Sequence, residues 1–320
     1  MKRVLGTLLI GIVCTSCSIN KLAMNAVSDA LAGDGGSEVF TGDEDPELVA
    51  GAIPFAIKMY ETLLAQNPRH QGLILTTGSL FVMYANAFIQ GPAQMSDDFE
   101  EQQREMVRAK KLYLRGRGIL LDGLDQKYAG FANAFRTLSV DSYLPRFKKD
   151  DVPNLYWMTA GTMAAYSLNP FDLELGVSLP VLRKLIDRAY QLDPDFNNGA
   201  IDDFYVLLLA SLPPEMGGDK SLAEEHFRRA VEKSKGLSAG PYISYAESIC
   251  IPAQDYEHFK ENIEKALAVD PSKDPANRLV NIINQRKAQY LLDNASHYFI
   301  DIGDDSFDWG DDEDFEGEWW

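Results

Sequence analysis

Between about residue 46 and residue 300, apolar side chains recur at intervals of three and four positions, separated by polar and charged residues. This period places them on one face of an α-helix, and no stretch shows the convincing alternation of a half-buried strand. The pattern predicts an all-α protein. Turn signals interrupt it every 15–25 residues or so, which predicts antiparallel helical hairpins. These signals are Asn67-Pro68, Gly91-Pro92, Asp122-Gly123, Asp151–Pro153, Asn169-Pro170, Asp193-Pro194, Pro213-Pro214, Gly236, Gly240-Pro241 and Asp270-Pro271.

Several of the predicted helices share one internal spacing. Small, aromatic or aliphatic residues stand at positions i, i+4 and i+7, and in three cases a proline follows at the same offset and ends the helix. The spacing resembles the second helix of a tetratricopeptide (TPR) hairpin, whose repeat period is about 34 residues. The triplets are Ala56-Tyr60-Leu63, Ala109-Tyr113-Gly116, Leu182-Ile186-Ala189, Ala223-Phe227-Ala230 and Phe259-Ile263-Ala266.

We therefore expect an irregular TPR-like array of antiparallel helical hairpins that forms one helical body over residues 46–300. The step from Ala230 to Ala266 is 36 residues, but the steps are longer toward the N-terminus, where the array is expected to be irregular. The alternative is that amphipathic helices match three apolar positions by chance. The three prolines at one offset favour the array.

The N-terminus carries a targeting segment. Lys2 and Arg3 precede the apolar run Val4–Val13, which is too short to span a bilayer as a helix but typical of a secretory signal peptide. The residues Cys14–Cys17 resemble a bacterial lipobox, so Cys17 is the expected lipid attachment site, with an ordinary signal peptide as the alternative. The expected organisation is signal peptide 1–16, lipidated cysteine and flexible tether 17–45, helical domain 46–300 and acidic aromatic tail 301–320.

The charge of the chain is strongly unbalanced, with 48 acidic against 30 basic side chains and a net charge of -18. Asp301–Trp320 contains ten acidic residues and no basic ones, so the body itself is only mildly acidic. Nucleic acid and anionic lipid are excluded as non-specific partners, because both bind basic surfaces. Aromatic residues are interleaved with these acids, so the tail is either a segment that docks on a partner or a disordered tail. The aromatic residues are Phe307, Trp309, Phe315, Trp319 and Trp320.

No enzyme motif is present in the mature sequence. Phosphate-binding glycine loops, His-Glu-x-x-His, Gly-x-Ser-x-Gly and Cys-x-x-Cys are all missing. Glu225-His226 and Glu257-His258 fall inside helical patterns and are expected to face solvent. Cys250 is expected to be a small buried residue. We predict a protein that is not an enzyme and has no catalytic residue, metal site or cofactor.

Four stretches of the sequence carry a family resemblance: Leu155–Gly161, Leu212–Ala230, Pro241–Ala246 and Gln254–Phe259. They resemble the TatT family, the periplasmic TPR lipoproteins, or T-components, of tripartite ATP-independent periplasmic (TRAP) transporters. The similarity covers about residues 46–292. It implies a cavity or pore for a small hydrophobic ligand, the transporter's substrate-binding P-component as partner, and a homo-oligomer, expected as a trimer. The expected location is the bacterial periplasm, with a lipid anchor in the inner or the outer membrane.

Aromatic residues at helical spacing are the candidate ligand contacts. Together with small residues such as Ala160 and Gly161, they can line a concave apolar pocket. An aromatic stripe is also ordinary helical core, which is the alternative for each residue. The acidic body disfavours an anionic headgroup unless Arg136 or Arg146 lies beside it. The candidates are Phe81, Tyr84, Phe88, Phe131, Phe135, Tyr156, Trp157 and Tyr166.

Three functions are compatible with these observations. The first is an accessory lipoprotein of a TRAP-type transport system that binds a hydrophobic ligand and the P-component. The second is a general TPR scaffold of the bacterial envelope that binds proteins or peptides. The third is an envelope enzyme with an unrecognised site. The first is favoured because of the family resemblance and because the sequence shows no clear set of basic or asparagine clamps for a peptide.

Cys17→Ala is expected to abolish labelling by a palmitate analogue and to release the protein from membranes. Acyl chains anchor a protein because each buried methylene contributes about 0.8 kcal/mol. Metabolic labelling followed by membrane fractionation measures both effects. Cys14→Ala serves as the control, and a wild-type chain without acyl mass contradicts the prediction.

Overall fold

The structure is a computed structural model that describes residues 39–300, and every regular element in that range is a helix. The predicted all-α class is confirmed. The predicted signal peptide, Cys17, most of the tether and the acidic tail lie outside the described residues and stay predictions. The α-helices are α1 (Pro46–Gln66), α2 (Gln71–Ala85), α3 (Phe99–Lys127), α4 (Phe131–Arg136), α5 (Val152–Ser167), α6 (Leu173–Leu192), α7 (Ala200–Ser211), α8 (Lys220–Lys233), α9 (Gly240–Tyr245), α10 (Tyr256–Leu267) and α11 (Arg278–Asp293).

Two of these helices continue through a wider, π-helical turn. Helix α2 runs on through Asn86–Gln90 to Gln94, and α9 runs on through Ala246–Cys250 to Ala253. Each wide turn stands just before a proline, Pro92 or Pro252, which cannot donate a hydrogen bond and crowds the carbonyl four residues earlier. The predicted turn at Gly91-Pro92 is therefore wrong, because the wide turn accommodates the proline without ending the helix.

The predicted turn at Asp122-Gly123 is also wrong, since both residues lie inside α3. A Cβ atom on Gly123 would clash with Cγ2 of Ile74 on α2. This glycine therefore permits a close contact between two helices, and it does not mark a chain reversal.

The helices pack in two layers. The first layer holds α2, α5, α7, α9 and α11, and each contacts the next: α2 packs on α5, α7 on α9 and α9 on α11, while aromatic rings join α5 to α7. The second layer holds α3, α6, α8 and α10, each packed on the first-layer helix that precedes it in the chain. Successive helices thus pack in pairs, and their arrangement as antiparallel TPR-like hairpins stays a prediction.

An aspartate caps the N-terminus of five of the helices. Its side chain accepts a hydrogen bond from the backbone N–H three residues later, in the first turn of α1, α3, α6, α8 and α10. Such a cap is worth about 1 kcal/mol. The caps explain why these helices start where they do: Asp45, Asp98, Asp172, Asp219 and Asp255.

The first and last helices of the body pack against each other. Leu279 of α11 belongs to the same buried cluster as Val49 of α1. Outside this contact, Arg286 pairs with both carboxylate oxygens of Glu47, and the distance from Nη2 to Oε2 is 3.2 Å. The succession of first-layer helices is thereby closed through α1.

Helices α1 and α2 are, within residues 39–300, long and apolar enough to cross a membrane by length and composition. Here they pack on each other, and their buried residues belong to the cluster that also receives α11. This packing accounts for their buried apolar residues, while Leu48 and Phe55 of α1 stay exposed.

The small residues of the predicted repeat spacing lie at helix contacts. Ala109, Ala189, Ala223, Ala230 and Ala266 are all completely buried. Their burial is as predicted, because a side chain no larger than a methyl group lets two backbones approach closely. The assignment to the TPR class itself stays a prediction.

Ala266→Leu is expected to lower the free energy of unfolding by about 1–3 kcal/mol, because the extra carbons overpack a filled contact. Urea unfolding followed by circular dichroism measures the change. Ala268→Leu, at an exposed position two residues later, is the matched control. Equal unfolding midpoints for the two variants contradict the assigned role of Ala266.

Candidate ligand-binding site

Three of the eight predicted ligand contacts lie in the interior of the body. Phe131 is completely buried, with its ring centroid 5.3 Å from that of Phe147, and Phe135 belongs to the same core cluster. Phe81 is buried beneath the guanidinium of Arg115, which lies 4.8 Å from the ring centroid. These rings contact other protein groups, as expected for the alternative in which an aromatic residue is part of the helical core.

Tyr84 and Phe88 lie together in a surface groove of about 560 Å³. The groove is at the end of α2, where the wide turn directs Phe88 and Ile89 toward the first turns of α3. Its apolar part is completed by Pro92 and Ala93, and its polar side consists of Ser96, Glu101, Glu105 and Arg108.

The remaining candidates, Tyr156, Trp157 and Tyr166, lie on α5 and are half-buried. Trp157 and Tyr166 pack against both of the larger core clusters, the one around α3 to α7 and the one around α1 and α2. Ala160 and Ala164 lie on the same side of α5 as Trp157 and are also half-buried, whereas Tyr166, nine residues after Trp157, lies on the opposite side of the helix. This aromatic face of α5 is therefore an apolar surface, partly open, between two packed cores.

Tyr156 is at the centre of an aromatic group on this face. Its ring centroid lies 5.2 Å from those of Trp157 and Phe196, and 6.4 Å from that of Phe204 on α7. Burial strongly raises the pKa of its hydroxyl, and the charge of Asp203 raises it further. The hydroxyl is thus a neutral hydrogen-bonding group at any physiological pH.

Next to this face, Asn281 of α11 forms hydrogen bonds with the backbone just before α9. Its side-chain amide donates to the carbonyl of Leu237 at 2.9 Å, and its side-chain oxygen accepts from the N–H of Ala239 at 3.0 Å. The completely buried Asn281 thereby holds the start of α9 against α11. As a result, Gly240 of α9 lies next to the side chain of Asn284 on α11.

Asp203 of α7 faces the same point. One of its carboxylate oxygens, Oδ1, is buried and has no hydrogen-bond partner among residues 39–300. Burial raises the pKa of Asp203 to about 6, a hydrogen bond with Ser244 lowers it, and the neighbouring charge of Asp202 adds to the increase. The spacing of acidic residues on helix faces gave no sign of this carboxylate, because its burial depends on α9 and α11.

The expectation that His226 faces solvent is wrong. His226 is buried, and its Nδ1 lies 2.7 Å from Oδ1 of Asp202, whose Oδ2 accepts from Nζ of Lys233 at 2.7 Å. Burial tends to raise the pKa of Asp202, but these two hydrogen bonds outweigh it and lower the pKa. The group joins α7 to α8, and the ring of Tyr205 stacks on His226 at 4.4 Å.

His258 is exposed, as expected. Cys250 is buried, as predicted, and burial raises the pKa of its thiol to about 12. Within residues 39–300 no three histidine, cysteine or acidic side chains come together in a group that could hold a metal ion. Arg146 lies over the rings of Tyr128 and Tyr143, at 5.3 and 5.0 Å.

The sequence matches the family model described as TRAP transporter T-component over residues 42–299, which is nearly the whole described body. The chain belongs to the T-component family. A protein of Treponema pallidum (strain Nichols), with the printed description "Uncharacterized protein", is 34% identical to it over 307 residues, covering 91% of this chain and 95% of the relative.

Membership in this family defines the general role of the protein. It is a periplasmic, membrane-associated accessory component of a TRAP transport system, and its family is not a known enzyme family. The match includes α5 with its aromatic face, α7 with Asp203 and α11 with Asn284.

Asp203→Asn is expected to stabilise the T-component at pH 7.5 by about 1–2 kcal/mol, after allowing for partial screening by solvent. The pKa of Asp203 is raised in the folded protein, so its ionised form opposes folding. This cost is complete above the folded pKa of about 6 and disappears as the pH falls toward the unfolded value near 4.

Urea unfolding at pH 7.5 and pH 4.5 measures the difference between wild type and variant. Asp122→Asn, at an exposed position on α3, is the control and should change neither value. A stabilisation by Asp203→Asn that is equal at both pH values contradicts the assignment.

Proposed function

We propose that this T-component binds a small hydrophobic ligand on the aromatic face of α5 and exchanges it with the substrate-binding P-component of its transporter. The observation that carries the proposal is the position of Trp157, which is half-buried and packs against both large core clusters. An apolar surface that stays partly open between two packed cores can gain further burial only from a ligand or a partner.

The aromatic face suits an apolar ligand better than the groove at Tyr84 and Phe88 does. The groove carries Glu101 and Glu105 along one side, together with Arg108. Charged side chains lose hydration when an apolar molecule covers them, and this opposes binding. On α5 the neighbours of Trp157 are the ring of Tyr156 and the methyl groups of Ala160 and Ala164, which carry no charge.

The anchor and the partner complete the proposal. Acyl chains on Cys17 hold the protein at a membrane, and residues 18–45 connect them to the body. A tethered body meets a periplasmic partner at a raised effective concentration, since the search is confined to the reach of the tether. The T-component is proposed to act as a homo-oligomer, with a trimer as the expected form.

Co-purification with a TRAP P-component of the same organism tests this function. The T-component is expected to retain the P-component at tens of micromolar, and native mass spectrometry of the complex should show a bound small apolar molecule and the number of subunits. Trp157→Ala is expected to reduce the bound fraction several-fold, because the largest ring of the face is lost.

Phe88→Ala is the matched control, since it removes an aromatic ring from the groove and leaves α5 intact. A larger reduction of the bound fraction with Phe88→Ala than with Trp157→Ala would indicate that the ligand binds in the groove. Failure to form a complex, together with retention of peptides in place of an apolar molecule, would support a general TPR scaffold.

A further inference from the structure

Three side chains from three parts of the fold surround one small space at Gly240. A Cβ atom on this residue would lie 3.3 Å from Oδ2 of Asp203, 3.4 Å from Nδ2 of Asn284 and 3.6 Å from Oγ of Ser238. The space therefore exists because residue 240 has no side chain. It lies where α7, the start of α9 and α11 come together.

The polar groups around this space have capacity left for hydrogen bonds. Oδ1 of Asp203 is buried without a partner, and neither Asn284 nor Ser238 makes a side-chain hydrogen bond within residues 39–300. Buried polar groups are nearly always paired, so the unpaired Oδ1 of Asp203 lacks an expected partner. Asn284 and Ser238 are only half-buried and offer further hydrogen bonds beside the other carboxylate oxygen, Oδ2.

This polar cluster adjoins the aromatic face of α5. The charge of Asp203 acts on the hydroxyl of Tyr156, and the next residue along α7, Phe204, has its ring 6.4 Å from that of Tyr156. An amphipathic molecule lying along α5 would therefore bring its polar end to Asp203.

The charge at this point is negative and uncompensated. Asp202, on the same helix, is bound to His226 and Lys233. Across the contact, Glu247 of α9 and Lys287 of α11 form an ion pair with each other at 2.7 Å, so their charges cancel locally. Tyr156 of α5 is neutral. Among residues 39–300, no basic side chain forms an ion pair with Asp203.

We infer that Asp203, Asn284 and Ser238 bind the polar end of the ligand, and that this end is a hydrogen-bond donor, an amine or a hydroxyl, and not a carboxylate. The inference rests on the proposed binding of an apolar ligand along α5 and adds the chemical class of its headgroup. A carboxylate would face the carboxylate of Asp203 in a partly buried site, where like charges repel strongly.

Three probes of equal chain length distinguish the headgroups: decylamine, decanol and decanoate. Isothermal titration calorimetry uses the mature chain, residues 17–320 with Cys17→Ala, at pH 7.5 and in moderate salt. We expect decylamine to bind at least about tenfold more tightly than decanoate, with decanol between them, because only the amine gains a charge-assisted hydrogen bond. Decylamine and decanol together distinguish an ionic headgroup from a neutral one.

Two variants locate the effect. Asp203→Asn is expected to remove most of the preference for decylamine over decanoate. Asp122→Asn, at an exposed position on α3, is expected to leave this preference unchanged. Gly240→Ala is expected to weaken all three probes several-fold by occupying the space. Lowering the pH to 5 protonates Asp203, whose pKa is about 6, and should reduce the preference in the wild type but not in Asp203→Asn.

Equal binding of the three probes, or an unchanged preference in Asp203→Asn, overturns this inference while the binding of an apolar ligand still holds. Tighter binding of decanoate than of decylamine also overturns it. Failure of all three probes to bind contradicts the proposed function itself, and the headgroup assignment with it.

Discussion

The distance between helices in this body is set by small residues at their contact points, and the rest of the structure depends on that distance. A Cβ atom on Gly116 of α3 would lie 2.7 Å from the carbonyl oxygen of Gly78 on α2, and one on Gly161 of α5 would lie 2.8 Å from Cγ2 of Val82. Any side chain there would push the helices apart. Closely packed helices bring distant parts of the chain into contact, including the start of α9 and α11.

Closure of the first layer through α1 has a further consequence. The contact between α1 and α11, whose residues Val49 and Leu279 belong to one buried cluster, joins parts of the chain that are more than 200 residues apart. Forming it requires all the intervening hairpins, so the body is expected to fold as a unit and not as a set of independent repeats. The ion pair between Glu47 and Arg286 is exposed and adds little stability, but it is compatible only with the closed arrangement.

Polar groups inside the body fall into two kinds. The first kind is fully paired: Asp202 receives hydrogen bonds from His226 and Lys233, and it joins α7 to α8. The second kind is incompletely paired: Asp203, the next residue, has a buried oxygen without a partner. A helix turns by about 100° per residue, so neighbouring carboxylates meet different helices and acquire opposite pKa shifts. One carboxylate supports the fold, and the other is available to a ligand.

The sequence by itself determined the helical class, most of the hairpin turns and the buried small positions such as Ala230 and Ala266, because periodicity and helix breakers act locally. Tertiary structure decided the rest. Phe131 and Tyr156 are both aromatic residues of predicted helices, yet one is enclosed by Phe147 and the other stays half-open between two cores. The neighbours of His226 and Asp203 come from other helices, and a pattern within one helix cannot specify which helices will pack on it.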